Sequence, residues 1–197
     1  REHIQTDMRA TTVQRLTRKF GVDAVQANRV SRVACGLFRQ MRPGMSESQA
    51  GRLENKLAWA AQLHEIGAQI SHSDYHKHGA YILGNSDAPG FSLSELERLG
   101  QLVLGHRGKL AKLSIDYNDV TFVQQLLALR LAVVLCHARR DPDLKDLMVA
   151  CNLNAPRRVS ISLRAGWAEA WPQSAHLLRE EVNAWQRTPW NLQILLA

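Results

Sequence analysis

Residues 57–107 read LAWAAQLHEIGAQISHSDYHKHGAYILGNSDAPGFSLSELERLGQLVLGHR, and they carry five of the eight histidines of this 197-residue chain. Leu57, Ala60 and His64 recur at helical spacing, so the His64 imidazole is predicted to face inward with the apolar side of a helix. Glu65 lies about 100° further round that helix. A buried imidazole or carboxylate needs hydrogen-bond partners or a metal ion. The local candidates are His72, His76, His78 and His106.

Apolar periodicity predicts helices through the first 140 residues. Asp23 reads as an N-cap, Ser92 and Glu95 form a capping box, and Pro43-Gly44 reads as a stop. The predicted helices cover residues 7–20, 24–41, 46 or 48 to about 67, 92–106 and 120–139. A shorter segment, 75–83, puts His78 and Tyr81 on one face if it is helical. The last helix contains LLALRLAVVL, which is apolar almost all round and therefore belongs at the centre of a bundle.

The pattern changes after residue 143. Residues 144–152 and 158–164 read as strands, 174–186 as a helix and 190–196 as a final strand. The predicted fold class is therefore mainly α, with a helical bundle followed by a small α+β unit of order β-β-α-β. We place the boundary so that residues 1–140 form the helical domain and residues 141–197 a small C-terminal α/β domain.

The excess of positive over negative charge is confined to the helical part. The chain has a net charge of +7, and residues 1–140 hold 19 Lys and Arg against 12 Asp and Glu, whereas residues 141–197 hold six of each. Such a field attracts polyanions, namely nucleic acid, anionic lipid headgroups or a phosphate polymer. The alternative is that scattered arginines only keep the helices soluble.

The cysteine positions and the first residues of the chain give information about the cellular compartment. Cys35, Cys136 and Cys151 are far apart in apolar contexts, which is typical of reduced core thiols in a cytoplasmic protein. A zinc knuckle is excluded because the chain has no CxxC pair. No apolar run reaches membrane-spanning length, and no signal-peptide pattern is present. The opening REHIQTDMR reads as mid-protein sequence, so we expect a fragment of a longer protein.

Arg130 stands out because it interrupts the most apolar helix. A buried guanidinium needs a carboxylate or phosphate partner; we expect a carboxylate, with Glu65 as the candidate. His64-Glu65 with the downstream histidines resembles the HD superfamily of helical metal phosphohydrolases. Two departures stand against an intact metal site: Glu65 stands where that family has aspartate, and the late helix offers Arg130 and no aspartate.

The departures match a more specific resemblance. The runs RLENKLAWAAQLHEIGAQISHSDYHKHGAYILGNSDAPGFS and LVLGHRGKL, with VDAVQANRVSRVACGLFRQ and QLLALRLAVVL, resemble the C-terminal portion of the Ppx/GppA family of exopolyphosphatases and guanosine pentaphosphate phosphatases. The resemblance implies an HD-like helical domain without its own hydrolytic centre, followed by a small α/β domain. Catalysis in that family resides in N-terminal actin-like domains that bind phosphate and magnesium. This chain has neither a phosphate-cradling glycine loop nor an acidic cluster suited to magnesium.

The function implied is that of the non-catalytic C-terminal part of an exopolyphosphatase, which releases terminal phosphate from polyphosphate. This part would bind and guide the polymer and form a homodimer. We expect no catalytic or metal-binding residue here, and magnesium to be held by the N-terminal actin-like domains. The predicted polyphosphate-binding residues are His76, Lys77, Arg107, Lys109 and Lys112. The predicted structural polar network is His64, Glu65, His78, His106 and Arg130.

Several alternatives stay open at this point. The chain could be the same part of a guanosine pentaphosphate phosphatase, or an independent HD-type metal phosphohydrolase. A nucleic-acid-binding helical module would explain the charge, but the chain lacks a recognition motif and aromatic residues interleaved with the basic stretches. We therefore expect no specific nucleic-acid partner. The expected location is the cytoplasm, with a peripheral position at the inner membrane as the alternative.

Overall fold

The computed structural model describes residues 2–41, 44–154 and 156–196, with side chains from Met8 onward. The elements follow in the order α1 (Glu2–Lys19), α2 (Ala24–Gln40), α3 (Glu47–Leu63), α4 (Tyr75–Asn85), α5 (Leu93–Gly105), a 3-10 turn (Leu110–Lys112), α6 (Val120–Leu135), β1 (Met148–Asn152), β2 (Arg158–Leu163), α7 (Trp167–Ala170), α8 (Pro172–Trp185) and β3 (Asn191–Leu196). The expected fold class, mainly helical with a small α+β unit at the end, is confirmed.

Side-chain caps fix several helix starts. The Asp23 carboxylate accepts hydrogen bonds from the backbone amides of Val25 and Gln26, and Ser46 caps α3 through the amide of Gln49. Both bonds of the Ser92–Glu95 capping box are present at 3.1 Å. The two predicted caps at Asp23 and Ser92 are thus confirmed, and Ser46 is the residue that caps α3. Pro43, the predicted stop of α2, lies outside the described residues.

Helix α6 is the centre of the bundle, as its sequence predicts. Its residues from Phe122 to Ala132 are all buried, and it packs against α2, α3, α5 and α8. A helix that is apolar on every side loses exposed apolar surface only if neighbours surround it. The other helices therefore arrange themselves around α6.

The regular part of α3 ends earlier than predicted. The helix stops at Leu63, so His64 is its C-cap and Glu65 lies in the turn that follows. The His64 ring donates to the carbonyl of Ala61, and the next backbone bonds, from Ile66 to Leu63 and from Ala68 to Glu65, each span three residues. This tightened chain turns toward α4. The predicted α6 end at residue 139 is likewise too late, because the helix stops at Leu135.

A close backbone approach at Gly67 holds α4 against this turn. A Cβ atom on Gly67 would lie 2.2 Å from the carbonyl oxygen of Tyr75 and 2.5 Å from the amide nitrogen of Gly79. Both neighbours are backbone atoms that cannot rotate away. Glycine at this position therefore brings the first turn of α4 next to His64.

The C-terminal unit is a three-stranded sheet of order β1-β2-β3. β1 pairs antiparallel with β2, and β2 pairs parallel with β3. A parallel pair needs a crossover connection, which α7 and α8 supply. The predicted order β-β-α-β is confirmed, with the short α7 added, with β1 starting at Met148 and with α8 starting at Pro172.

The helical and C-terminal parts share one hydrophobic core. α8 packs against α6, and β1 packs against α2. Polar bonds cross the same junction: the Trp190 indole donates to the carbonyl of Tyr117 at 2.9 Å, and the Gln40 side chain accepts from the Val149 amide at 2.7 Å. The boundary at residue 140 stays a prediction, and the core is continuous across it.

All three cysteines are free thiols, as expected. Burial raises the pKa of Cys35 and of Cys136 to about 11, so both thiols stay protonated at neutral pH. Within the described residues, no helix combines the length and the apolar character needed to cross a membrane.

We predict opposite effects of alanine at two glycines. Gly67→Ala should lower the free energy of unfolding by about 2–3 kcal/mol or more, because backbone atoms of α4 must move. Gly51→Ala is the matched control: Gly51 is in α3 with nothing within 4 Å of an added Cβ, and it should gain about 0.5–1 kcal/mol from helix propensity. Urea denaturation of both variants measures the difference. Equal effects would show that α4 does not approach Gly67 as described.

Candidate anion-binding site

Four aromatic rings meet between the end of α3, the first turn of α4 and the end of α5. We call His64, Tyr75, His76 and His106 the histidine–tyrosine cluster. The His64 and His106 ring centroids are 5.0 Å apart, those of Tyr75 and His106 5.3 Å, and those of His76 and His106 6.3 Å. His106 therefore lies at the middle of the cluster.

His64 and His106 occupy equivalent positions in their helices. Each is a helix C-cap, and each Nδ1 donates to the backbone carbonyl three residues earlier, at Ala61 and Val103. A carbonyl can only accept, so Nδ1 carries the proton and Nε2 of the neutral ring is an acceptor. In His106, Nε2 accepts from the Tyr75 hydroxyl at 3.1 Å. Both nitrogens of the His106 ring are thus occupied by protein groups.

Burial keeps these two histidines neutral. It lowers the pKa of His64, and it lowers the pKa of His106 well below its usual value, with the neighbouring His64 acting in the same direction. Neutral rings fit the hydrogen bonds described, because Tyr75 needs an acceptor on His106. The cluster is therefore a polar network without charge of its own at neutral pH.

Glu65 has a different partner from the one expected. Its carboxylate lies 3.5 Å from Nε2 of His64 and 3.4 Å from Nη1 of Arg139. Arg139 also donates to Asp23 at 3.1 Å. Arg139 has φ of 58°, an uncommon conformation for a residue other than glycine, and the two carboxylates hold its side chain there.

Arg130 pairs with Glu181 of α8, so the expected pairing with Glu65 is wrong. Nε of Arg130 lies 3.1 and 3.0 Å from the two Glu181 oxygens, and Nη2 lies 2.7 Å from Oε1. Arg130 is 4% exposed and Glu181 6%. The remaining donors reach backbone carbonyls, at Gly105 (2.8 Å) and Gly108 (3.1 Å). The predicted type of partner, a carboxylate, is correct, but it comes from the other part of the chain.

A sequence signal for Glu181 did exist. Glu181 lies three residues after Leu178 and four before Trp185, which is the spacing of one helix face. All three residues are buried. A carboxylate on the apolar face of one helix and a guanidinium inside another indicate a buried pair, although 51 residues separate them in the sequence.

The basic loop after α5, residues 107–109, lies directly beside the cluster. The Arg107 guanidinium carbon is 4.6 Å from the centroid of the Tyr75 ring. Gly108 has φ of +86°, and a Cβ atom there would lie 3.5 Å from Nε2 of His76. Arg107 and Lys109 are exposed. The structure thus brings two of the predicted cations next to His76, around a backbone that takes a conformation suited to glycine.

His76 differs from the lysines and arginines predicted with it. It is 8% exposed, and its Nδ1 has no hydrogen-bond partner within the described part of the chain. Burial, and then the nearby positive charge of Arg107, lower its pKa, so the ring is neutral at pH 7. His76 therefore adds no charge to the site at pH 7, and its unpartnered Nδ1 is buried.

The other predicted residues lie around this centre at different distances. Lys77 is exposed, 3.7 Å from Asp74, and follows His76 in α4. His78 is half-buried, and its Cβ lies against Gly67 rather than in the ring cluster. Lys112 is exposed and borders a separate cavity of about 370 Å³ with Asp116 and Asp119. The described contacts thus join Arg107 to Tyr75 and place Gly108 beside His76, and they do not join Lys112 to this group.

The cluster is poorly suited to a metal ion. Among the residues that the structure describes, no group of three or more His, Cys, Asp and Glu side chains is arranged to hold one. Glu65 is the carboxylate nearest the rings, and it is paired with Arg139. Magnesium prefers oxygen ligands, so the side chains present here do not fit the magnesium ion that the family resemblance implies for other domains.

Comparison with known proteins identifies the family. Residues 8–184 match the family described as Ppx/GppA phosphatase, domain III. A guanosine-5'-triphosphate,3'-diphosphate pyrophosphatase of Pseudoalteromonas translucida (strain TAC 125) is 30% identical over 190 residues, which are 95% of this chain and 37% of that protein. The chain therefore belongs to the Ppx/GppA phosphatase family, as its sequence runs predict. It spans little more than a third of the length of the curated relative that it matches.

The neutral histidines predict acid sensitivity. Because the pKa values of His64 and His106 lie below the usual 6.5 in the folded chain, the unfolded chain takes up protons first as the pH falls. The contribution of the two neutral histidines to the free energy of unfolding is fully present above about pH 6.5. Below that pH, the free energy of unfolding falls by up to about 1.4 kcal/mol per pH unit for each histidine. Denaturation between pH 8 and pH 5 should show a shallower loss for His106→Gln. His176→Gln, at an exposed position, should keep the wild-type slope.

Proposed function

We propose that this chain is the polyphosphate-binding, non-catalytic part of an exopolyphosphatase. The observation that carries the proposal is the exposed loop of Arg107 and Lys109, which surrounds Gly108 beside Tyr75 and His76. The family match supports a phosphatase of phosphoanhydrides, and domain III is the part that matches. The charge excess of residues 1–140 supports an extended anionic ligand.

The chemistry of the loop suits such a ligand. A linear polyphosphate carries about one negative charge per unit, so it binds best to a row of cations. Arg107 and Lys109 present their positive charges to solvent, where an anion can reach them. Gly108, which has a positive φ and no side chain, would let an anion approach the backbone closely. Lys77 lies on the neighbouring helix turn, and Lys112 on the 3-10 turn that follows. We propose that these exposed cations act together on an extended polymer and call them the basic track: Lys77, Arg107, Lys109 and, beyond the described contacts of the loop, Lys112, with the neutral His76 beside them.

A guanosine pentaphosphate phosphatase is the second candidate function. The relative from Pseudoalteromonas translucida favours it, because that protein is named for the guanosine compound. Both substrates are phosphoanhydrides, so both would meet the same cations. A competition experiment with labelled polyphosphate separates the two functions. For an exopolyphosphatase, long polyphosphate should displace the label at far lower concentration than guanosine pentaphosphate does. The reverse order would favour the guanosine pentaphosphate phosphatase.

An independent metal phosphohydrolase has less support. Its ligands would have to come from His64, Glu65 and His106. Both ring nitrogens of His106 are hydrogen-bonded and Glu65 is paired with Arg139, which leaves Nε2 of His64 as the ring nitrogen without a described hydrogen bond. A bound metal would require His106 to release Tyr75. We therefore favour a polar network that joins α3, α4 and α5 over a hydrolytic centre.

The wider assembly follows from the same proposal. We propose that actin-like domains N-terminal to this part hold magnesium and carry out the hydrolysis, and that the whole protein is a homodimer. We further propose a cytoplasmic location, with a peripheral position at the inner membrane as the alternative. The supporting facts are the family match and the share of the relative, 37%, that the chain covers.

We predict salt-sensitive polyphosphate binding. Neutralised phosphates release condensed counterions, so log affinity should fall linearly with log salt concentration. Arg107→Ala, Lys109→Ala and Lys112→Ala in one variant should reduce the slope by about two to three units by analogy with nucleic acids. The melting temperature should fall only slightly, because all three side chains are exposed and the described contact that is lost is that of Arg107 with the Tyr75 ring.

The matched control removes three charges from the C-terminal part. Lys145, Arg179 and Arg187 are also exposed, and their replacement by alanine changes the net charge by the same amount. Titration calorimetry at several salt concentrations measures both slopes. If the control loses the slope and the first variant keeps it, the polymer binds over the C-terminal part and the basic track is misplaced.

We also predict that the chain alone releases no phosphate from polyphosphate. The motifs that would hold magnesium and activate water were not found in its sequence. A coupled phosphate assay with long polyphosphate and magnesium tests this. Steady release that persists through further purification, and that Glu65→Gln abolishes, would contradict the proposal and favour the metal phosphohydrolase.

A further inference from the structure

A buried chain of hydrogen bonds runs from the C-terminal part to the basic loop. The Trp185 indole donates to Oε2 of Glu181 at 2.9 Å, and Glu181 accepts from Arg130. Arg130 then donates to the carbonyls of Gly105 and Gly108. Trp185 is fully buried, and Arg130 and Glu181 nearly so. This series of hydrogen bonds therefore ends at the backbone carbonyls of Gly105 and Gly108, on either side of Arg107.

The geometry of the guanidinium makes Glu181 decisive for this arrangement. A guanidinium is planar with donors in fixed directions, so binding Glu181 through Nε and Nη2 fixes where the other donors point. They point at Gly105 and Gly108, at 2.8 and 3.1 Å. Without the Glu181 carboxylate, the Arg130 guanidinium loses the two-point contact that fixes its orientation toward the carbonyls of Gly105 and Gly108.

The two carbonyl bonds in turn shape the loop. Gly108 is in the left-handed conformation and directs its carbonyl inward to Arg130, and a Cβ atom added to it would lie 3.5 Å from Nε2 of His76. Arg107, between the two fixed carbonyls, lies over the Tyr75 ring. Glu181 of α8 is therefore connected to the conformation of the loop cations through Arg130, and not through a described contact with the cations themselves.

We propose that Glu181 is a positioning residue for anion binding: through Arg130 it sets the conformation of residues 105–109 and thereby the affinity of the basic track. This inference rests on the proposed function and extends it to a part of the chain that has no excess charge. The C-terminal part then contributes to polyphosphate binding without touching the polymer.

The test compares two neighbouring glutamates. Glu181→Gln removes the charge that holds Arg130, whereas Glu180→Gln removes the same charge from an exposed residue whose described ion pair is with His176. We expect Glu181→Gln to weaken polyphosphate binding about tenfold and to reduce its salt slope, measured where both variants are fully folded. Glu180→Gln should bind like the wild type. Faster amide exchange at Arg107, Gly108 and Lys109 should accompany the first variant and not the second.

A double variant covers the case that Glu181→Gln does not fold. Arg130→Met with Glu181→Gln removes the stranded buried cation and leaves an amide oxygen for Trp185. The loop carbonyls again lose their donor, so the same weakening of binding and the same faster exchange at residues 107–109 are expected. Rescue by Glu181→Asp, which keeps the charge, would support positioning over a general loss of stability.

The outcomes are separable. Wild-type affinity together with unchanged amide exchange at residues 107–109 in the folded variants would overturn the role of Glu181 and leave the proposed function in place. A wild-type chain that binds no polyphosphate at low salt would overturn the proposed function, whatever the variants do. Faster exchange at the loop with unchanged affinity would show that Glu181 shapes the loop but does not set anion binding, which also contradicts the inference.

Discussion

The Arg130 guanidinium lies inside the most apolar helix of the chain, where a charge is tolerated only if every side of it is satisfied. Glu181 neutralises it, and the carbonyls of Gly105 and Gly108 take further donors. These partners come from α8 and from the end of α5, while Arg130 belongs to α6. One buried ion thus specifies how three segments meet, and the shared core of the helical and C-terminal parts closes around it. Such a pair adds little net stability over apolar residues, but breaking it is costly.

Most of the architecture could be predicted because it depends on local patterns. The apolar stripe of α2, the capping box at Ser92 and the uniformly apolar α6 each decide an element by sequence alone. The errors are at element ends. α3 was expected to continue through Glu65, but the His64 ring binds the Ala61 carbonyl and the chain turns so that α4 can contact Gly67. That end depends on a contact with a later helix, which periodicity within α3 does not contain.

The candidate site was predictable in its residue types and not in its pairings. The sequence indicates that His64, Arg130 and the loop cations need partners, since each combines burial or charge with a chemical requirement. It does not say that Glu65 goes to Arg139 while Arg130 goes to Glu181. Both pairs join residues more than 50 positions apart in the sequence. Either carboxylate, Glu65 or Glu181, would have met the requirement that the buried Arg130 guanidinium has an anionic partner. Tyr75, which joins His106 to Arg107, was missed because a single tyrosine in a short helix carries no pattern.

The placement of charge has a physical logic under the proposed function. The histidines beneath the loop stay neutral because they are buried, and for His76 because Arg107 is close. Arg130, the one buried Lys or Arg among the side chains that the structure describes, is fully committed to protein acceptors. The charge that a ligand can reach therefore lies on exposed side chains, where water and salt keep each contact weak. A polymer held by many weak contacts can advance one unit at a time, whereas a buried bidentate arginine would hold a single phosphate too firmly. Under the proposed function, the buried Arg130 would fix the shape of the loop, and the exposed cations would supply the attraction for the polymer.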